Sequence, residues 1–450
     1  MALNYCFRHL ARVVVEAETP LAVGSGEKSI TSDSLVLKDV NGLPFIPGTS
    51  LAGVFRETLD ELNQKLIFGY QEKHQGHGSN IIFSDAKLLD SEGNAVDGIL
   101  PKMDSFLAHY ENLPVRQHAR IGHDGTVEKG GKFDEEIVYK GSRFCFEVEL
   151  LSEENDDNLI EILSKLKSSG FRIGGGSRKG FGKLKVVSTA HARLNLSDAR
   201  DLGLYLSKSS NLAESWDGWQ ALELTGEQGG WNEYVLHLSP EDFFMFGSGF
   251  GDESGDADMT QVKEPVVEWR DGHGTFVNKM LIPAASVKGA VSHRLAYHYN
   301  KLMGNFAEDM TASELKQHIG GRNDAVRAYF GAEAEGDEET SRGKVIFSDI
   351  FEECPPEKLL THVVIDSFTG GAMDGGLFTE KPVYGRDKKF VFRILVSIDT
   401  LDISAEMEKA FVSALKDLCS GMLPLGGGVN RGNGVFTGKL FKNGEVIYEA

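Results

Sequence analysis

Residues 171–186 read FRIGGGSRKGFGKLKV, and residues 423–438 read LPLGGGVNRGNGVFTG. The pattern GGG-x-x-x-G-x-G therefore occurs twice, each time after an amphipathic helical stretch and before a strand-like run. A tight helix-to-strand turn with positive φ explains one or two glycines. It does not explain the whole pattern in both places. Clustered glycines let one backbone approach another, and exposed N–H groups in such a turn hold phosphates. A dinucleotide-binding reading fails on order, because that fingerprint follows a strand and opens a helix.

Other matches lie in the same order around the two loops. Gly24-Ser25-Gly26 recurs as Gly247-Ser248-Gly249, and Phe45-Ile46-Pro47 with Ser50 and Gly53 recurs as Leu281-Ile282-Pro283 with Ser286 and Gly289. Ile81-Ile82-Phe83-Ser84-Asp85 recurs as Val345-Ile346-Phe347-Ser348-Asp349, and Phe133-Asp134-Glu135 as Phe378-Thr379-Glu380. Five collinear matches make the chain a tandem duplication. The boundaries read as a first domain over 1–190, a linker or decoration over 191–231, and a second domain over 232–450.

With 450 residues, each half is long enough to bury its own core. No apolar run approaches the length of a membrane span, and the N-terminus lacks a signal-peptide core. Cys6, Cys145, Cys354 and Cys419 form no C-x-x-C pair, so a thiolate zinc site is not expected. Free thiols in a reducing cytoplasm are the simplest reading. The net charge of −20 argues against non-specific nucleic-acid binding. The acid is clustered, however, at 153–157, 252–258 and 335–339, whereas Arg178, Lys179, Lys183 and Arg431 sit beside glycine. A local basic groove on an acidic body fits this pattern.

Apolar alternation predicts strands over 5–17, 143–151, 234–239, 389–398 and 434–442. A 3.6-residue period predicts helices after Ser50 and Ser286 and over 156–168 and 404–419. The resulting order is the β-α-β-β-α-β ferredoxin-like pattern, twice. Ser50 and Ser286 are natural N-caps, and a helix start is a ready anion site. The loops at 100–135 and 360–385 are too long to be plain connections. Residues 252–264 fail as a calcium loop because Ala257 stands where glycine is required. His74 and His77 lack acidic or thiol partners, and no nucleophile elbow occurs.

On these motifs the chain resembles the RAMP superfamily, most closely the guide-RNA-coating backbone subunits of type III CRISPR effectors. Two copies in one chain are similar to the double backbone subunit of type III-D variants. The residues that carry the resemblance are the Gly-Ser-Gly loop with Asp33, the segment Leu43 to Gly53, and the Gly-rich loops. The resemblance implies an α+β fold of two RRM-like domains, whose central surface and Gly-rich loop hold guide RNA. Inserted β-hairpin thumbs, here 112–135 and 362–380, distort the guide–target duplex. It also implies a cytoplasmic ribonucleoprotein with guide RNA, target RNA, other RAMP subunits, a large polymerase/cyclase-type subunit and small subunits.

In catalytically competent members a loop aspartate lies beside the distorted target phosphate. Asp33 takes that position here, as catalytic residue and ligand of Mg²⁺ or Mn²⁺. Cleavage would leave a 2′,3′-cyclic phosphate and a 5′-hydroxyl. In the second half the matching position reads as Glu264. The expected RNA contacts in the first half are Gly24, Ser25, Gly26, Ser50, Arg56, Arg116, Arg120, Gly174, Gly175, Gly176, Arg178 and Lys179. In the second half they are Gly247, Ser248, Gly249, Ser286, Lys288, Arg294, Gly426, Gly427, Gly428, Asn430 and Arg431. The alternatives are a non-catalytic scaffold in the same complex and a guide-processing endoribonuclease. A guide-processing enzyme would need an acid–base pair, often with histidine, near a Gly-rich loop, and no histidine lies in either loop sequence.

Overall fold

The computed structural model describes residues 5–29, 32–73, 75–226, 229–249, 251, 255–332, 340–399 and 402–450. His74 and the acidic stretches 252–254 and 335–339 lie outside the described residues.

The first half contains β1 (Phe7–Ala17), α1 (Gly48–Glu57), β2 (Ile81–Phe83), β3 (Arg143–Ser152), α2 (Asn158–Ser164) and β4 (Leu184–Asn195). Its sheet runs β4-β1-β3-β2 with antiparallel pairing between neighbours. That is the strand order expected of a ferredoxin-like fold. Alternation in β1 buries Ala11, Val13 and Val15 on one face, against Leu51 and Phe55 of α1 and Leu159, Ile162 and Leu163 of α2.

The second half repeats the plan with β5 (Trp231–Pro240), α3 (Ala284–Met303), β6 (Val345–Phe347), β7 (Phe390–Ser397), α4 (Ala405–Cys419) and β8 (Phe436–Lys442). Its sheet runs β6-β7-β5-β8, and Glu445–Glu449 adds an edge strand. Val287, Val291 and Leu295 of α3 pack with Phe411, Leu415 and Leu418 of α4 in a separate core.

Residues 191–231 decorate the first half. β4 runs on to Asn195, and Gln220–Ala221 extends the same sheet by pairing with His191 and Ala190. Leu204, Tyr205, Trp216 and Trp219 pack over Leu10, Ala192 and Leu194. The Tyr205 hydroxyl donates to Glu149, Arg12 donates to the Glu214 carbonyl, and Lys208 pairs with Glu147. The outer face of the first sheet is therefore covered, and the expected open RNA platform there is replaced by protein.

Among the described residues, three long β-hairpins leave the cores. Val115–Ile121 pairs with Val127–Glu136, and Leu360–Ile365 pairs with Ala372–Lys381. These are the two expected thumbs. The third, Lys263–Arg270 with His273–Ile282, occurs only in the second half. It lies across the first half: Val267 N–H donates to Lys140, Gly274 N–H to Ser91, and the Trp269 indole to Gly141. Phe276 stacks on His109 and packs edge-on to Tyr110 and Tyr139. This hairpin is a clasp. In the first half its place is taken by a tight turn, in which Asp39 accepts from the N–H groups of Asn41 and Leu43.

Candidate nucleic-acid interface and cleavage centres

The Gly-rich loops superimpose bond for bond. Gly174, Gly176, Gly180 and Gly182 all have positive φ, and so do Gly426, Gly428, Gly432 and Gly434. Gly175 N–H donates to Ala22 at 2.7 Å, and Gly427 N–H donates to Met245 at 2.7 Å. A Cβ on Gly182 would sit 2.2 Å from the Ile173 carbonyl oxygen, and one on Gly434 would sit 1.9 Å from that of Leu425. Close backbone approach therefore requires glycine here. The alignment makes Asn430 the counterpart of Arg178 and Arg431 that of Lys179.

The helix starts match as well. Gly48 N–H donates to Asp85, and Ala284 N–H donates to Asp349. The two matched aspartates are thus helix caps supplied from a strand end, a role that the motif alone did not reveal. Neither Ser50 nor Ser286 caps its helix with its side chain; the helices begin at Gly48 and Ala284.

The first Gly-rich loop lies against the start of α3. A Cβ on Gly180 would come within 2.9 Å of Ala284 and 3.1 Å of Asp349 N. Arg178 and Lys288 meet there. Burial, then the nearby Arg342, lowers Arg178 from the usual guanidinium value to about 10. Burial, then Lys179 and Arg178, lowers Lys288. The Nε and Nη1 atoms of Arg178 are buried without a hydrogen-bond partner among the described residues. Arg178 and Lys288, one from each half, therefore converge at one helix start, where the acid present, Asp349, is engaged by the Ala284 N–H and by Arg116.

Asp33 stands on the exposed loop after Gly26. Its N–H donates to the Asp134 carbonyl at 3.0 Å, and its Oδ2 accepts from Asp134 N–H at 3.1 Å. The same pair of bonds recurs in the second half, from Asp258 N–H to Thr379 at 3.0 Å and from Thr379 N–H to Asp258 Oδ2 at 2.7 Å. Asp134 and Thr379 are matched residues of the thumbs. Asp258 is therefore the counterpart of Asp33, and both are exposed.

Glu264 is not the counterpart, which corrects the sequence expectation. It begins the clasp, and its carboxylate is held bidentately by Arg116 at 2.6 and 2.8 Å. Arg116 also donates to Asp349 at 2.7 Å. Burial alone would lower Arg116, but Asp349 and Glu264 outweigh it and hold the guanidinium well above its usual value. Arg116 is thus an inter-domain tie and has no free face for RNA. Arg294 is likewise engaged, by Asp417 at 2.5 Å. Arg56, Arg120, Ser25 and Asn430 lie away from this buried network.

Each thumb base holds a constellation that the sequence reading missed. His118 lies 2.7 Å from Glu135, which also takes the ammonium of Lys179 at 2.6 Å. His362 lies 2.9 Å from Glu380, which takes Arg431 at 2.5 Å. His118 stacks on Phe133 and His362 on Phe378. A histidine thus reaches each Gly-rich loop through a buried glutamate. The signal was present, because His118 and His362 oppose the matched Phe133 and Phe378 in strand register.

Among the described residues no group of three or more His, Cys, Asp or Glu side chains forms a metal cage. One carboxylate per centre fits an ion held mainly by RNA phosphate and water, as Mg²⁺ often is. It does not fit a dedicated protein site.

A relative from Methanocaldococcus jannaschii, described as "CRISPR system Cms endoribonuclease Csm3", is 28% identical over 192 residues, covering 38% of this chain and 75% of its own length. The RAMP superfamily model matches residues 14–185 and again 271–437, one match in each half. With more than half of its length matched and the fold duplicated, this chain belongs to the RAMP superfamily and carries two tandem copies of its domain.

Proposed function

We propose that the chain is a guide-RNA-binding backbone subunit of a type III CRISPR ribonucleoprotein. In this reading it grips the guide–target duplex and cleaves target RNA at two phosphates, one beside Asp33 and one beside Asp258. The observation that carries it is the pair of half-buried cations without a carboxylate partner, Arg178 and Lys288, where the first Gly-rich loop meets the start of α3. A phosphate there pairs with both cations. The grip is on the backbone, so sequence choice is left to base pairing.

Chemistry follows from position. Each aspartate is anchored to a thumb base, so a thumb that splays a nucleotide presents the adjacent phosphate to that carboxylate. The carboxylate takes the 2′-hydroxyl proton as the oxygen attacks phosphorus; the P–O5′ bond breaks, and the departing 5′-oxygen takes a proton from water. A divalent ion, when bound, would neutralise phosphate charge; Asp33 and Asp258 are the residues that would share in holding it.

The histidines support a second reading, guide-RNA processing by acid–base groups at the thumb bases. One experiment separates the two. Asp33→Ala, Asp258→Ala and the double variant are assayed in the assembled complex on matched target RNA and on repeat RNA. Loss of one distinct target cut per single variant supports the proposal. Full target cutting by the double variant defeats it and leaves a scaffold. Cleavage of repeat RNA that is lost in His118→Gln favours processing.

A further inference from the structure

The two aspartate centres share a backbone frame but differ in one side chain. Phe133-Asp134-Glu135 and Phe378-Thr379-Glu380 are matched thumb residues. The residue that holds the loop aspartate is therefore an aspartate in the first half and a threonine in the second. The threonine makes bonds that an aspartate cannot. Thr379 Oγ1 donates to Asp258 Oδ2 at 3.1 Å and accepts from Asp258 N–H at 3.1 Å. Thr379 N–H donates to the same Oδ2 at 2.7 Å, so that oxygen takes two donors from one residue. Asp33 Oδ2 takes one from Asp134, the N–H at 3.1 Å. An ionised aspartate side chain only accepts. Asp134 thus sets a second negative charge beside Asp33 where the second half has a donor.

The surroundings of Thr379 hold it in place. Phe378, before it, stacks on His362 with ring centroids 4.9 Å apart. Glu380, after it, is 1% exposed and engaged by His362 and Arg431. The chain beyond Asp258 runs on in parallel with the thumb, Met259 opposite Glu380 and Thr260 opposite Lys381. Beyond Asp33 the matching contact is an isolated bridge from Ser34 to Glu135.

We infer that Thr379 is a positioning residue for cleavage at the second centre: its hydroxyl pins Oδ2 of Asp258 and leaves Oδ1 to meet the 2′-hydroxyl of the splayed nucleotide. The inference rests on the proposed cleavage role of Asp258. A carboxylate held in one rotamer is already oriented when the nucleotide arrives, and orientation of that kind lowers the barrier without tightening substrate binding. Asp33 has one anchor from Asp134 and a like charge next to it, so its centre gains from a hydroxyl at that place.

The test measures both cuts in the assembled complex on one end-labelled, matched target RNA. Thr379→Val keeps the branched shape and removes only the hydroxyl. It slows the second-centre cut about tenfold, the scale of one lost hydrogen bond to a charged group. The KM and the first-centre cut do not change, and Thr379→Ser restores the rate. Asp134→Thr gives the first centre the same hydroxyl and speeds the first cut, a gain that damage to the fold cannot produce. A wild-type rate of second cutting in Thr379→Val overturns the inference. So does equal slowing of both cuts, or no gain from Asp134→Thr. Asp258→Ala separates the two levels of the reading. If it keeps its cut, the proposed function fails and the inference falls with it. If it loses its cut while Thr379→Val retains the full rate, the inference alone fails.

Discussion

Replacing Arg116 by methionine tests whether the two halves are locked by buried charge. Methionine keeps the unbranched stem of the side chain and removes three charge-assisted bonds, of 2.6, 2.7 and 2.8 Å. The carboxylate of Asp349 is 0% exposed and that of Glu264 is 9% exposed. Burial already raises Asp349 above the usual carboxyl range, with Arg116 pulling it back down. Without Arg116, Asp349 takes up a proton in the fold. Protonating an acid of ordinary pKa near 4 costs about 4 kcal/mol at pH 7 and about 1.4 kcal/mol at pH 5. The folded pKa then lies above the unfolded one, so the penalty is absent in acid and full at neutral pH.

The expected loss is therefore about 4 kcal/mol at pH 7, within the range of roughly 3–5 kcal/mol for breaking a buried pair. Urea denaturation at pH 7 and pH 5 measures it. The variant Arg116→Met, Glu264→Gln, Asp349→Asn removes all three charges while keeping the cap on α3, and should recover most of the loss. A loss for Arg116→Met below about 1 kcal/mol, or one independent of pH, would refute the reasoning.

Three further outcomes are expected. Arg178→Ala with Lys288→Ala should weaken single-stranded RNA binding and lower the salt slope by about 1.4, near 0.7 per contact; fluorescence anisotropy against salt checks it, and an unchanged slope counts against the junction site. Burial would raise Glu135, but His118 and Lys179 outweigh it and hold it below the usual range, so its contribution is full above about pH 4.3 and is lost as pH falls through the lower folded value; between pH 5 and pH 3 the wild type should therefore lose more stability than Glu135→Gln in thermal melts. Gly182→Ala forces a Cβ to 2.2 Å from the Ile173 oxygen and should destabilise, whereas Gly53→Ala, with open space around it on α1, should stabilise by roughly 0.5–1 kcal/mol; similar shifts for both in denaturant midpoints would contradict the loop geometry.

The duplication was legible because its marks are local. Glycine loops, helix starts and the Phe-Ser-Asp strand ends each sit within a few residues of sequence, and their order does the rest. The β-α-β-β-α-β element order followed from apolar alternation and the helical period. Asp258 was misread for a physical reason. It lies in an acidic stretch that resembles a solvated loop, and the clasp inserted after it draws the eye to Glu264, the next acid before a proline. Two hydrogen bonds to the thumb backbone, one donated by the aspartate's N–H and one accepted by its carboxylate, make the match, not position along the chain. The Arg116 tie could not be read, because its partners lie 148 and 233 residues away. The covered sheet face followed from Trp216 and Trp219 folding back, which no periodicity announces.

The decoration over 191–231 has a consequence for assembly. Because it packs on the first sheet through Ala221, only a short stretch bridges to Trp231, and the second half is tethered close to its docking site. Such a tether replaces a bimolecular encounter by a high effective concentration. The buried ion triad can then form at any protein level, including levels at which free subunits would drift apart. Two RAMP domains arrive as one translated unit, in fixed number and fixed order.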